Sequence, residues 1–155
     1  MADGVFNISK GRVNEFQNRV NDNDPANAVI GVMILEVSEA TATLEDYDTI
    51  SALLAGSNTE SAATNYARLI NDDTDLAGSA VDDTNNRHES DMPDQVWSSL
   101  GPGNATVRIV TFYDDDSTGG TDANLIPATW HDFVVTPNGG DVTATINASG
   151  YFRAA

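Results

Sequence analysis

The chain contains no cysteine, which excludes disulfide cross-links, thiol catalysis and thiolate metal sites, and leaves the redox compartment without a marker. Basic residues are nearly as scarce. Among 155 residues there are seven, of which only Lys10 is a lysine, against 24 acidic ones, for a formal net charge of −17. A nucleic-acid-binding face needs grouped cations to displace counterions, so direct nucleic-acid binding is not expected, and anionic membrane surfaces are disfavoured for the same reason. Long hydrophobic runs are missing too: the longest, AVIGVMIL from Ala28 to Leu35, is far short of the roughly 20 residues that span a bilayer. The opening MADGVFNISKG lacks the charged-then-apolar order of a signal peptide, so the expectation is a soluble protein made in the cytoplasm. The N-x-S/T triplets at Asn7, Asn104 and Asn147 then never meet the glycosylation machinery.

What is present suffices for one domain. A chain of this length hides roughly 68–70% of the surface its unfolded form exposes, and apolar residues, at 40%, are spread along it. The charge is unevenly placed. Residues 1–20 hold three basic residues against two acidic ones, whereas the remainder holds four against 22. That divides the chain into an N-terminal arm or helix over 1–20, a docking candidate, and a single acidic β-rich domain over 21–155. Such a charge keeps a protein soluble at high copy number, and an Asp-rich, Lys-poor surface suits a salty medium in which self-repulsion is screened.

Periodicity supplies the elements. Val13, Phe16 and Val20 recur at helical spacing after Ser9, read as an N-cap, and NDNDP from Asn21 to Pro25 ends the pattern. Ala28 to Leu35 reads as a buried strand, being rich in Val and Ile and too short for most helices. TLEDYDTISALLAG is the best helix in the chain. Thr43 is its cap, Leu44, Tyr47, Ile50 and Leu54 are its stripe, and Gly56 is its stop. Ala63 to Ile70 fits strand or helix, with strand preferred. Asn71 to Asp94 is a polar, turn-rich middle with a short candidate around Arg87 to Met92, long enough for a loop to suggest function or mobility. NATVRIVTFY follows as a strand with Val107, Ile109 and Thr111 on one face. TWHDFVV and DVTATI, joined by TPNGGD, read as a hairpin. No repeat of 20 to 50 residues is visible. The class is mainly β or α+β: an antiparallel sheet or sandwich with one or two short helices.

Three constellations bear on chemistry. In FYDDDSTGGTD, Asp114, Asp116, Thr118 and Gly119 match the first half of a calcium loop, but Leu125 stands where the closing acid belongs. A looser Ca²⁺ site from Asp114, Asp116, Thr118 and Asp122 competes with the simpler reading of a solvated strand connection. His131–Asp132 is an adjacent base and acid, yet strand neighbours point to opposite faces, and no G-x-S-x-G elbow accompanies it. A metal site from His88, His131 and Asp132 has no spacing signature. GPG at Gly101 to Gly103 lacks the lysine of a phosphate loop. Catalytic residues are therefore assigned to none of these, no cofactor is expected beyond the Ca²⁺ option, and an enzyme is not expected. The chain ends offer more: Phe6, Ile8, Lys10 and Arg12 at one, Tyr151, Phe152 and Arg153 at the other, a composition suited to docking on a partner. The alternative for the C-terminal group is a strand that completes a sheet.

Read in order, the blocks DGVFNISKGRV, ATLEDYDTISALLAG, TNYARL, VDDTNNRHESDMPDQVW, YDDDSTGGTDANLIP, HDFVVTPNGGDVTA and GYFRAA resemble those of small virion-associated structural proteins of tailed bacteriophages and related viruses, over nearly the full length. The resemblance implies a setting and no catalytic residues. It implies a virion location, the major capsid protein or other virion proteins as partners, and a homo-oligomer, with a trimer favoured because decoration proteins often sit over local symmetry axes. Packaged DNA repels a surface this negative, which favours a capsid decoration protein on the outer head surface. A tail-tube or minor tail protein, for which negative walls let DNA slide, and a calcium-dependent attachment module are the alternatives.

Overall fold

Alternation along β2 (Val29–Val37) decides the architecture. Ile30, Val32 and Ile34 pack into one core cluster, Met33 and Leu35 into another, and all five are buried. A strand covered on both faces has no reason to interrupt its apolar run, so Ala28 to Leu35 carries no polar break. The computed structural model describes residues 3–115 and 120–154. Within them β2 lies inside a six-stranded antiparallel sheet. On one side β2 pairs with β8 (Arg108–Asp114), which pairs with β9 (Ile126–Asp132), which pairs with the edge strand β1 (Asp3–Val5). On the other side β3 (Thr59–Glu60) and β4 (Leu69–Asn71) share the flank of β2.

One face of this sheet is covered by two short helices, α2 (Thr41–Leu44) and α3 (Ile50–Ala55). Their Leu44, Ile50 and Leu53 pack with Met33, Leu35, Val110, Phe112 and Trp130. The other face is covered by α1 (Val13–Asn21), through Val13, Phe16 and Val20, with the Phe16 ring stacked 4.4 Å from that of Tyr113. Two small sheets complete this side. One pairs β7 (Gln95–Trp97) with β10 (Val142–Ala144). The other orders β11 (Phe152–Ala154), β6 (Arg87–Ser90) and β5 (Ala80–Asp82). The protein is a single mainly antiparallel β domain with three short helices among the described residues.

Several sequence expectations change for identifiable reasons. Ser9 does not cap α1. It is buried, its Oγ donates to the Pro127 carbonyl at 2.6 Å, and Gly11, at φ +79°, turns the chain before the helix starts at Val13. The best helix breaks into α2 and α3, because Thr49 rather than Thr43 supplies a cap, its Oγ1 accepting from the Ala52 amide at 3.1 Å. Of Ala63 to Ile70 only the end enters a strand, while Tyr66 and Arg68 turn inward as polar anchors. The polar middle contains the β5–β6 hairpin, whose turn is tied by Asp82 to Asn85 and Arg87. DVTATI does not pair with TWHDFVV: β10 goes to β7, and the intervening turn is held by the Gly139 amide on the Leu100 carbonyl. Val107 precedes β8 and packs on the helix-covered face, opposite Ile109.

The N-terminal segment is not a free arm. β1 is paired to β9 and Phe6 is fully buried in the helix-covered cluster, so the 1–20 and 21–155 portions share one core. Deleting residues 1–12 is accordingly expected to cost a Phe-sized cavity, about 3–5 kcal/mol, as well as an edge strand.

Candidate functional site

The strand ATWHD places Thr129 and His131 two residues apart, hence on one face, while Trp130 and Asp132 point the other way. Thr129 Oγ1 lies 2.9 Å from His131 Nε2 and 2.7 Å from Thr111 Oγ1 on the neighbouring strand. The Thr129 amide donates to Thr111 Oγ1 at 3.0 Å. On the far side of the ring, His131 Nδ1 stands 3.5 Å from Asp3 Oδ1 of β1, the cross-strand partner of His131. Burial pulls the imidazole below its ordinary value of 6.5, the nearby Asp3 carboxylate only partly opposing this. A neutral ring with its proton on Nδ1 orients the whole chain of bonds. In that tautomer Nε2 accepts from Thr129, which leaves Thr129 Oγ1 to accept from Thr111, and Nδ1–H faces Asp3.

The partner acid of His131 is thus Asp3, 128 positions away, and not Asp132. Asp132 faces Arg108 at 3.3 Å, and that guanidinium lies 4.5 Å over the Trp130 ring. His88 belongs elsewhere, 2.9 Å from Ser79 Oγ, so the three residues of the conceivable metal site are not brought together. Acid, imidazole and hydroxyl in series have the order of a nucleophilic relay. Thr111 and Thr129 are each only 1% exposed, although Thr111 lines a cavity and Thr129 an adjoining groove.

Beside this relay is a cavity of about 400 Å³ whose walls include Val32, Ile109, Met92, Ile146, Tyr151 and Arg153. A shallower groove of about 260 Å³ adjoins it, walled by β1 on one side and Tyr151 to Arg153 on the other, with Thr129 and His131 between. The two chain ends flagged by composition therefore converge on one place, the C-terminal end through the expected Tyr151, Phe152 and Arg153, the N-terminal end through Asp3, Gly4 and Val5 in place of Phe6, Ile8, Lys10 and Arg12. Phe6 is fully buried in the core, whereas Tyr151, 9% exposed, lines both the cavity and the groove. Tyr151 donates its hydroxyl to Gln17 Oε1 at 3.2 Å, and burial pushes its pKa up. Ile8 packs against the helix-covered cluster, Lys10 stands 3.9 Å from Glu45, and Arg12 lies 4.7 Å over the Phe16 ring, all away from the groove residues. Phe152 is half-buried and Arg153 exposed, both on the groove wall.

The acidic loop gives a different picture from its sequence. Asp116 and Thr118 lie outside the described residues. Asp122 is turned to Arg68, which also grips Glu60 with two bonds of 2.7 and 2.8 Å. The Glu60 bonds, followed by those of Asp122, hold the Arg68 guanidinium even more firmly protonated than usual, against the opposing effect of burial. Asp114 is buried at the end of β8, and its carboxylate occupies the space that a side chain at Gly120 would need. Among the described residues no group of three or more His, Asp or Glu is gathered for a metal ion.

The Arg68 network, which Tyr66 joins by donating to Glu60 at 2.8 Å while accepting from the Ile34 amide, carries no signal in a single sequence. The Thr129–His131 pairing was legible from T-x-H alternation; its links to Thr111 and Asp3 were not. No helix among the described residues is long and apolar enough to cross a membrane. No family model, curated protein or solved structure matches the chain. The virion reading rests on the ordered sequence blocks and on charge.

Proposed function

We propose that the protein is a non-enzymatic head accessory protein that binds the outer surface of a viral shell and stabilises it. The observation that carries this reading is the disposition of its few cations. Lys10, Arg19, Arg68, Arg87 and Arg108 are each within 4.0 Å of one of the chain's own carboxylates. With those charges matched internally, the outward field is that of the unmatched acids, and packaged DNA repels it. An outer position separates the two anionic bodies by the thickness of the shell.

Electron cryo-microscopy of the virion that carries this chain tests the proposal. Density for the domain is expected on the outside of the head, with its acidic loops facing solvent. Density confined to the tail or to the inner face of the shell overturns it, and the tail alternative takes its place.

A further inference from the structure

We propose that the groove between β1 and β11 accepts an extended, basic polypeptide segment as an added strand. The inference deepens the accessory-protein reading and rests on it only for the source of the segment, a shell protein. Both walls of the groove are sheet edges. β1 ends the six-stranded sheet and β11 ends its three-stranded one, and among the described residues each is paired on one side only. An edge strand leaves alternate N–H and C=O groups without partners, and an incoming extended chain satisfies them. The groove is lined by residues of both edges, Asp3, Gly4 and Val5 of β1 and Phe152 and Arg153 of β11. The adjoining apolar cavity shares Asp3, His131, Tyr151 and Arg153 with it, so every second side chain of an added strand has a place to be buried.

Charge selects the occupant. Two copies of a chain of net charge −17 repel, which disfavours a homotypic contact and favours a cationic partner. Within the groove the Asp3 side chain is 59% exposed, whereas Arg153 has no carboxylate within 4.0 Å among the described residues. A basic residue of the incoming segment therefore falls beside β1 and not beside β11.

The test uses the full chain, ¹⁵N-labelled, and two synthetic peptides: one alternating Val and Lys around a central Phe, and one in which two of the valines are replaced by Pro. With the alternating peptide, chemical-shift changes are expected at Gly4, Val5, Phe152 and Ala154, and slowed exchange at the outward-facing amides of β1, that of Val5 foremost, with no such response to the Pro peptide. Asp3→Asn is expected to weaken binding, and Arg153→Glu to strengthen it, each by about two- to fivefold as for a rim charge. Shifts scattered over acidic loops outside the groove, or an equal response to the Pro peptide, overturn the inference. So does protection of the same amides in the protein alone with a concentration-dependent dimer, which makes a second copy the occupant. Failure of the groove leaves shell binding to be judged by the virion map, and a tail location leaves the groove result standing.

Discussion

At the scale of single residues, the tightest constraint is Gly31 in the middle of β2. It lies opposite Phe112, and a Cβ there would meet the ring at 2.1 Å, so the aromatic face occupies the space a side chain needs. Gly31→Ala is expected to destabilise by about 1–3 kcal/mol through overpacking, as measured by urea unfolding. His131 makes stability depend on pH. Its folded value lies below its unfolded one, so its contribution is complete above 6.5 and is lost as pH falls from there toward the folded value, because the unfolded chain takes the proton first. In thermal melts between pH 7.5 and 5, the wild type is expected to lose stability relative to His131→Gln. A constant difference between the two would show that burial of the ring is not coupled to its protonation. Neither residue announces its role in sequence: a glycine in a strand is ambiguous until the ring opposite is known, and Asp3 reaches His131 only through the pairing of β1 with β9.

At the scale of elements, capping and pairing decided what periodicity left open. The apolar stripe from Leu44 onward suits one long helix, but Leu44 and Ile50 are buried by two helices joined through Asp46 to Thr49. Thr49 offers the first free amides of α3 an acceptor and so starts a second helix. Thr49→Ala is expected to cost about 1 kcal/mol, whereas Thr43→Ala, which removes no cap bond, leaves the denaturation midpoint nearly unchanged. β10 shows the complementary limit. Its alternation was legible, as was that of β9, but alternation says nothing about which strand is the neighbour, and the Leu100 loop carries β10 across to β7.

At the scale of the whole molecule, the net charge of −17 sets the response to medium. Exposed like charges repel within a Debye length of about 10 Å at 0.1 M salt and about 3 Å at 1 M. The melting temperature is therefore expected to rise by several degrees between 0.05 and 1 M NaCl, with the steepest gain at low salt. A fall over that range would mean that the internal ion pairs, Arg68 and Arg87 foremost, outweigh the repulsion they offset.

Composition and pattern by themselves determined the anionic character, the absence of thiol chemistry, the mainly antiparallel β class, and the positions of β2 and β8, while the strand read as TWHDFVV lies three residues earlier, at Ile126–Asp132. These follow from local residue identity and short-range periodicity, which a linear reading contains. Tertiary structure alone decided that Phe6 and Tyr151 are core, that Asp122 answers to Arg68, and that β1 and β11 face each other across one groove. Those outcomes depend on which distant segments meet, and contact across more than a hundred residues is set by the packing of two sheet faces, to which no local pattern is sensitive.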